Sequence, residues 1–364
     1  MGLVRFRPYL PTRSKEVKNN FRSIVLGAIG AAVGLSFAVP AVSSASTVHD
    51  PTAGVVLNIG DISQQQALPL ITSGLITSTG TTNGAGNTIY NVQGYAFQVT
   101  FNQFLAGPEV LAGVLGGSID LGLTADTPVI YAQQQHVPLK VVATALPNKP
   151  GADFAIVLPK GSSVTSVAKL SGKTISAQSA TINQYFLLAA LKKAKVKPSS
   201  VTIDNLTPLN ALSALNGGSL DAAVLPQPYV DLATAIYKDT VLTTAVGYVS
   251  GYSFLDASNA ALANTAKSTA IGDYLKLLSA ASKWTKANQA QWITVIASTY
   301  HLPAFLATAL VTNTQGSYVP ISAKVIAATQ AEANLLYAGG FLPSSLKVNS
   351  LFDTRYNSIV AKLN

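Results

Sequence analysis

A short glycine-led segment occurs twice in this chain, and it constrains the fold more than any other feature. Gly116–Asp120 reads Gly-Gly-Ser-Ile-Asp, and Gly217–Asp221 reads Gly-Gly-Ser-Leu-Asp. Each copy follows an Ala/Leu-rich helical pattern and precedes an apolar stretch and a proline. A glycine that ends a helix, a short buried strand and a loop that opens the next helix explain both copies. We therefore expect two similar lobes, with a ligand crevice between them at the carboxyl ends of the strands.

Short β-branched runs alternate with longer apolar-periodic stretches, which indicates α/β layers. Helices fit at 108–115, 128–135 and 182–194. Residues 72–94 are rich in Ser, Thr, Gly and Asn and predict a mobile insertion or long loop. From about residue 263 onward the pattern predicts helices alone. The predicted strands are Val55–Ile59, Phe97–Phe101, Ile119–Leu123, Leu139–Ala143, Ala155–Leu158, Thr174–Ala177, Val201–Ile203 and Ala222–Leu225.

Residues 1–45 have the order of a secretory signal peptide. Basic side chains dominate residues 1–22, an apolar run extends from Ile24 to Val42, and small residues precede a cut after Ala45. An uncleaved membrane anchor is the alternative, because the apolar run is nearly long enough to span a bilayer. Pro40 and the small residues that follow favour cleavage.

The residue types that the chain lacks exclude several classes of protein. It has no cysteine, so neither disulfides nor a lipid anchor is available, and we expect an unanchored protein of a Gram-negative periplasm. His49, His136 and His301 do not have metal-ligand spacing, and no phosphate loop or nucleophile elbow occurs. The net charge of +9 belongs partly to the leader, and no later basic cluster indicates nucleic-acid binding. We expect neither an enzyme nor a cofactor or metal site.

Five segments in a fixed order carry a family resemblance. Together they resemble the solute-binding proteins of the sulfonate/nitrate/taurine ABC importers. The resemblance covers about residues 55–235 and fades in the C-terminal third. One departure is Pro226–Tyr229, which reads Pro-Gln-Pro-Tyr where the family often has Trp-Asp-Pro-Tyr. The segments are Phe104–Leu111, Gly116–Gln133, Val167–Ile175, Gln178–Thr181 and Asp221–Tyr229.

That resemblance implies an α/β, two-lobed periplasmic-binding-protein fold with two crossovers, in which each lobe is a β-sheet flanked by helices and a helical C-terminal segment follows. Lobe one would comprise residues 54–145 and 247–364, and lobe two residues 150–242. The crossings would fall near Pro147–Gly151 and Val246–Gly247, where proline and glycine suit a hinge. The implied function is to hand a small ligand to ABC permease subunits in the inner membrane, as a monomer.

Four loops should converge on the crevice, each at the start of a helix, where free N–H groups and the helix dipole favour an anion. Some of these residues have structural alternatives. Thr181 with Gln184 forms a capping-box pattern, Asp126 could cap a helix, and the two aromatic residues could belong to the core. The candidate ligand-binding residues are Ser63, Gln64, Gln65, Phe104, Thr124, Ala125, Asp126, Gln178, Ser179, Thr181, Gln227 and Tyr229.

The arginine content restricts how an anion can be held. After the leader, Arg355 is the only arginine, and it lies near the C-terminus, outside these loops. An arginine fork on the ligand is therefore not expected, and neutral donors must bind it. The family and the donor set favour a small organosulfonate, taurine or a nitrate-like oxyanion. A neutral heterocycle such as a thiamine-precursor pyrimidine, and a sensor-associated binding module, are the alternatives.

The leader generates the first prediction. If residues 1–45 are a cleaved signal peptide, the mature protein begins at Ser46 or within a few residues of it. N-terminal sequencing of protein purified from the periplasm checks this expectation. Recovery of Met1 or Gly2 at the N-terminus would contradict it and favour the anchor.

Overall fold

The computed structural model describes residues 50–363, so the predicted signal peptide lies outside the described residues. In chain order the strands are β1 (Val56–Ile62), β2 (Ile76–Thr82), β3 (Thr88–Val92), β4 (Gln98–Phe104), β5 (Leu121–Ala125), β6 (Leu139–Pro147), β7 (Phe154–Leu158), β8 (Thr174–Ser176), β9 (Thr202–Asp204), β10 (Ala222–Pro226), β11 (Thr240–Thr244), β12 (Ser253–Ser258) and β13 (Gly316–Val319). The helices are α1 (Ala67–Thr72), α2 (Gly107–Leu115), α3 (Asp126–Gln134), α4 (Ile182–Lys193), α5 (Pro208–Asn216), α6 (Tyr229–Leu232), α7 (Asn259–Ala263), α8 (Thr265–Ala287), α9 (Gln289–Thr299), α10 (Ala304–Thr314), α11 (Ala323–Ala338) and α12 (Asn357–Val360).

The strands form two sheets. The first has eight strands in the order β13-β6-β12-β5-β1-β4-β3-β2, and the second has five in the order β11-β7-β10-β8-β9. In the first sheet β1 is parallel to both β4 and β5, and in the second β8 is parallel to both β9 and β10. The carboxyl ends of each parallel set therefore meet at one edge of their sheet, where binding loops are expected.

Helices cover both faces of each sheet, which explains why the central strands are apolar without alternation. One face of the first sheet packs on α8, through residues such as Ile271 and Leu275, and the other packs on α2, α3 and α11. The second sheet is held between α4 on one face and α5 on the other. The core is thus divided between two layered units.

The repeated glycine-led segment has the same structure in both copies. Gly117 and Gly218 have φ values of +75° and +76°, and each follows the last turn of a helix. Asp120 then accepts a hydrogen bond from the N–H of Asn58, and Asp221 accepts one from Thr174, at 3.0 and 2.8 Å. Each aspartate also pairs with a lysine, Lys267 or Lys173. The repeat therefore caps a helix and aligns the start of one parallel strand with its neighbour in each sheet.

The prediction of a long loop over residues 72–94 was wrong. β2 and β3 form an antiparallel hairpin that extends the first sheet, and the Asn83 side chain accepts hydrogen bonds from the N–H groups of Ala85 and Asn87 in its turn. Most of this hairpin is exposed, and Ile76 and Val92 are its buried residues. A solvated edge hairpin needs few apolar residues, so its composition resembled that of a loop.

The prediction of helices alone after residue 263 was also wrong. β13 pairs antiparallel with β6, from Gly316 opposite Pro147 to Val319 opposite Thr144. The strand has four residues and directly follows α10, so its pattern is too short to separate from that of the helix.

The chain passes from the first sheet to the second after β6 and returns after β11, and the two crossing segments lie against each other. A Cβ atom on Gly251 would lie 2.5 Å from the Cβ of Pro150, and one on Gly151 would lie 2.6 Å from the carbonyl oxygen of Ala245. Both glycines have positive φ, +73° and +78°. These positions thus admit only glycine without movement of the backbone. The exact limits of the predicted lobes stay a prediction.

Within residues 50–363 no single helix is long and apolar enough to cross a membrane. The pair α9 and α10 reaches that threshold only when its two members are taken together, and it bends by 116° between them.

The crossing generates the second prediction. Gly251→Ala should lower the free energy of unfolding by about 2–4 kcal/mol, because it adds left-handed strain and a clash with Pro150. Gly247→Ala is the matched control: its φ is +75°, but an added Cβ meets nothing within 4 Å, so about 1 kcal/mol is expected. Urea denaturation measures both values, and equal losses would contradict the close approach of the two segments.

Candidate functional site

The loop after β1 is exposed and has an unusual backbone. Ser63 and Gln64 have φ values of +51° and +58°, a left-handed conformation that costs side-chain-bearing residues about 1–2 kcal/mol each. The carbonyl of Ser63 accepts a hydrogen bond from the Tyr300 hydroxyl at 2.5 Å, and the N–H of Gln64 donates to the Gln103 side chain at 3.0 Å. The side chains of Ser63, Gln64 and Gln65 all face solvent. Their exposure leaves them accessible, and their role in ligand binding stays a prediction.

The residues at the end of β5 are mostly buried. The Thr124 hydroxyl donates to Asp256 at 2.6 Å, and burial raises the pKa of Asp256 well above its usual value. Ala125 is half-buried and packs against the core of the second sheet. Thr124 therefore already has a protein partner, which restricts its use as a ligand donor.

Asp126 is fully engaged by the protein. Its carboxylate accepts hydrogen bonds from the Ser250 hydroxyl, in the second crossing segment, and from the N–H of Thr127 at 3.0 Å. A third bond links it to Glu332 on α11, whose other contact is the Thr127 hydroxyl. Asp126 therefore has structural contacts, but it does not cap α3, whose N-cap residue is Ala125.

Asp126 and Glu332 form a buried carboxyl pair. Burial raises the pKa of both groups, and the negative charge of Asp126 raises that of Glu332 further. Two adjacent carboxylates repel each other in a low-dielectric interior, so the pair keeps its last proton to a higher pH than either acid would alone. The hydrogen bonds from Ser250 and Thr127 favour charge on Asp126, and Glu332 therefore carries the proton.

The second sheet contributes the loop Gln178–Thr181 before α4. Thr181 caps α4, since its hydroxyl oxygen accepts from the N–H of Asn183 at 3.2 Å, and Gln184 accepts from the N–H of Ala180 at 3.0 Å. The predicted cap at Thr181 is confirmed, but Gln184 binds the N–H of Ala180 rather than that of Thr181, so the reciprocal capping box does not form. The Ser179 hydroxyl is buried without a hydrogen-bond partner in the described part of the protein, which leaves a donor free for a ligand.

Gln227 and Tyr229 lie in the loop after β10. The Gln227 side chain donates to Asp231 at 3.2 Å and accepts from Asn313 of α10 at 3.2 Å. Tyr229 is half-buried and packs against the cluster under α5, and burial raises its pKa. On the first sheet, Phe104 packs near Gly60 and Gly113 beneath α2. Tyr229 and Phe104 therefore both contact the core, which was the structural alternative to ligand binding.

The starts of the helices are occupied by acceptors from the chain itself. Asp61 accepts from the N–H groups of Gln66 and Ala67 at 2.9 and 3.0 Å at the start of α1. Asp126 lies in the first turn of α3, and Thr181 caps α4. Helix N-termini thus contribute fewer free donors than the sequence led us to expect. The remaining neutral donors are side chains, with Ser179 foremost.

Several residues at this junction were not predicted. Tyr131 of α3 donates to Gln184 of α4 at 2.7 Å, which joins a helix of the first sheet to one of the second. The sequence pattern could have indicated Glu332. It shares one face of α11, at helical spacing, with Val325, Thr329 and Leu336, and an acid on a mostly apolar face is unusual. Ser250 lay in an irregular segment and gave no signal.

The described residues contain no group of three or more His, Asp or Glu side chains placed to hold a metal ion. An apolar pocket of about 90 Å³ lies between α2 and α3, with Ala180 at its rim. It has none of the twelve predicted ligand-binding residues in its lining.

Comparison with solved structures identifies the class of fold. The alkanesulfonate-binding protein SsuA from Xanthomonas axonopodis pv. citri, bound to MOPS, superposes with a TM-score of 0.70 at 26% identity, over 83% of this chain and 99% of that one. The periplasmic aliphatic sulphonate binding protein SsuA from Escherichia coli gives a TM-score of 0.69 at 25% identity, over 83% and 92% of the two chains. The protein therefore has the two-lobed periplasmic-binding-protein fold, as predicted.

Sequence comparison identifies the family. The model described as NMT1/THI5 like matches residues 98–285. A putative aliphatic sulfonates-binding protein of Escherichia coli (strain K12) is 31% identical over 259 residues, which cover 69% of this chain and 78% of that protein. The taurine-binding periplasmic protein of the same strain is 31% identical over 146 residues, 40% of this chain and 43% of that protein. The chain belongs to the NMT1/THI5-like family, and the predicted resemblance is confirmed.

A more distant neighbour shares the fold alone. The desulfurization enzyme DSZB superposes with a TM-score of 0.56 at 9% identity, over 85% of this chain and all of that one. The relatives named above are binding proteins, so at the level of the family the expectation of a binding protein is supported.

The carboxyl pair generates the third prediction. Unfolded Glu332 loses its proton near pH 4.5, whereas folded Glu332 keeps it to higher pH, so its contribution to stability falls as pH rises above about 4.5, by up to about 1.4 kcal/mol per pH unit. Glu332→Gln mimics the protonated acid, retaining an oxygen for Thr127 and a donor for Asp126. It should remove this slope and stabilise the protein at pH 8.

Urea denaturation from pH 5 to pH 8 checks this expectation. Asp126→Asn is the matched control, because it replaces one acceptor oxygen by a donor and should destabilise the protein at every pH. If Glu332→Gln kept the slope of the unsubstituted protein, Glu332 would not hold the proton.

Proposed function

We propose that the protein is the periplasmic solute-binding component of an ABC importer that captures a small organosulfonate, or a similar compact oxyanion, between its two lobes. The single observation that carries this proposal is the relative named as an aliphatic sulfonates-binding protein, with 31% identity over 69% of the chain. The solved SsuA structure bound to MOPS supports it, because MOPS is itself a sulfonate. The partners are then the permease subunits of the inner membrane, and the protein acts as a monomer without catalysis.

Neutral donors hold the ligand in this proposal. Ser179 has a free buried hydroxyl, Gln178 adjoins it, and the exposed side chains of Gln64 and Gln65 lie on the loop of the other lobe. Each hydrogen bond to a charged oxyanion contributes about 1.5–3 kcal/mol when it replaces water. Three or four such bonds supply about 5–12 kcal/mol, and micromolar binding needs about 8 kcal/mol after the costs of association, so burial of the ligand's apolar part must contribute as well.

Asp126, Thr124 and Thr181 have structural roles in the same proposal. Their side chains already bind Ser250, Asp256 and Asn183, respectively. A carboxylate as close as Asp126 would repel an oxyanion that touched it, so the ligand lies on the side of Ser179 and Gln227. Gln227 contributes through an amide that Asp231 and Asn313 orient.

Export completes the proposal. The basic, apolar and small-residue order of residues 1–45 supports a cleaved signal peptide and a periplasmic location, and the taurine-binding relative is named as periplasmic. Absence of cysteine suits delivery by diffusion, without a lipid anchor, to the permease.

Binding is the fourth prediction. Titration calorimetry should give heat with ethanesulfonate or taurine, and none with a pyrimidine. Ser179→Ala should weaken that binding about tenfold to a hundredfold, because it removes one bond to a charged group. Ser171→Ala, on an exposed loop of the same lobe, is the control and should leave affinity unchanged.

Two outcomes would count against the proposal. If a pyrimidine gave heat and no sulfonate, taurine or nitrate did, the assignment of the ligand would be wrong. The proposed transport role would remain. Equal affinities for Ser179→Ala and Ser171→Ala would place the ligand away from Ser179.

A further inference from the structure

The helices α9 and α10 form a bent pair, which we name the helix clasp (residues 289–314). Its two helices meet at 116°, and their connection includes Tyr300 and His301. Ile296, Leu306 and Val311 form a small core between them. The clasp lies outside residues 98–285, which the family model matches. The family model therefore gives no information on the clasp.

The bend of the clasp contacts a predicted ligand loop of the first lobe, to which the clasp itself belongs. Leu68 of α1 packs into the clasp core, and the Tyr300 hydroxyl donates to the carbonyl of Ser63 at 2.5 Å. Burial, together with the nearby Asp61 carboxylate, raises the pKa of Tyr300 to about 12. Its phenol therefore stays protonated and remains a donor throughout the neutral range.

The C-terminal end of the clasp contacts the second lobe at a second predicted ligand loop. Ala235, between β10 and β11, packs against the same clasp core. Asn313 donates to the Gln227 side chain at 3.2 Å, and the amide of Gln227 in turn donates to Asp231 at 3.2 Å. One short helical unit thus bonds to a candidate loop of each lobe.

The loop in the first lobe needs such a contact. Ser63 and Gln64 are two successive left-handed residues with side chains, and a strained backbone of this kind persists only where its surroundings hold it. Side chains from two other segments help to do so here: the Tyr300 hydroxyl donates to the carbonyl of Ser63, and the Gln103 side chain accepts from the N–H of Gln64. Without Tyr300, the bond to the Ser63 carbonyl is lost and the loop gains freedom.

We propose that Tyr300 and Asn313 are positioning residues, through which the helix clasp sets the spacing of the two lobes and fixes one ligand loop in each. The effect of this spacing on ligand affinity rests on the proposed function, whereas the effect on the lobes does not. A clasp bonded to both lobes limits their separation in the unliganded protein, so less order is lost when a ligand binds.

Spin labels measure the spacing directly, because the chain has no cysteine of its own. Leu115 on α2 and Leu209 on α5 are 56% and 52% exposed, so Leu115→Cys and Leu209→Cys place one label on each lobe. In this background, Tyr300→Phe with Asn313→Ala should give a broader distribution of label distances, shifted to longer values, without ligand. Tyr337→Phe with Asn259→Ala, at exposed positions of α11 and α7, is the control.

A second measurement separates this proposal from the ligand assignment. Calorimetry with ethanesulfonate should show binding about threefold to tenfold weaker in the clasp variant than in the control. If neither protein bound a sulfonate, the proposed function would fail and the distances would still decide the clasp. Asn313→Ala alone, which removes only the bond to Gln227 of the second lobe, decides it if the double variant does not fold. An unchanged distance distribution in the variant that folds would overturn the proposal.

Discussion

The burial of the Asp126 carboxylate is the constraint on which the first sheet depends where its helices meet the second crossing segment. A buried charge needs partners, and leaving one unpaired costs about 3–5 kcal/mol. Here the partners are uncharged or carry the shared proton: Ser250 on the second crossing, the N–H of Thr127 and the acid of Glu332. Three segments far apart in sequence are therefore fixed at one point, beside the hinge.

Around that point, contacts of two kinds connect the sheets. The crossing segments touch so closely that a side chain at Gly151 or Gly251 would clash with the other segment. The two segments are therefore in direct contact where the chain passes between the sheets. Polar contacts such as Tyr131 to Gln184 lie away from the crossings and can be exchanged for water at small net cost. Opening and closing around a ligand requires crossing segments that can change their backbone angles, together with contacts between the lobes that can be exchanged for water.

The parts of this architecture that local pattern determines could be predicted from the sequence. Both glycine-led segments, the α4 cap at Thr181 and the two-lobed class follow from short-range signals and from the family resemblance. The β2–β3 hairpin and β13 could not be predicted, because a solvated edge and a four-residue strand lack apolar periodicity. The partners of the site were hidden for another reason: whether Tyr300 meets Ser63 depends on tertiary packing, which spacing along the chain does not encode.

The central claim is that a small oxyanion is held between two lobes that close on it at this hinge. Small-angle X-ray scattering of the mature protein, with and without saturating ethanesulfonate, tests it most directly. A smaller radius of gyration in the liganded protein is the predicted result. An unchanged radius of gyration, with binding confirmed in the same sample by calorimetry, would contradict closure of the two lobes around the ligand.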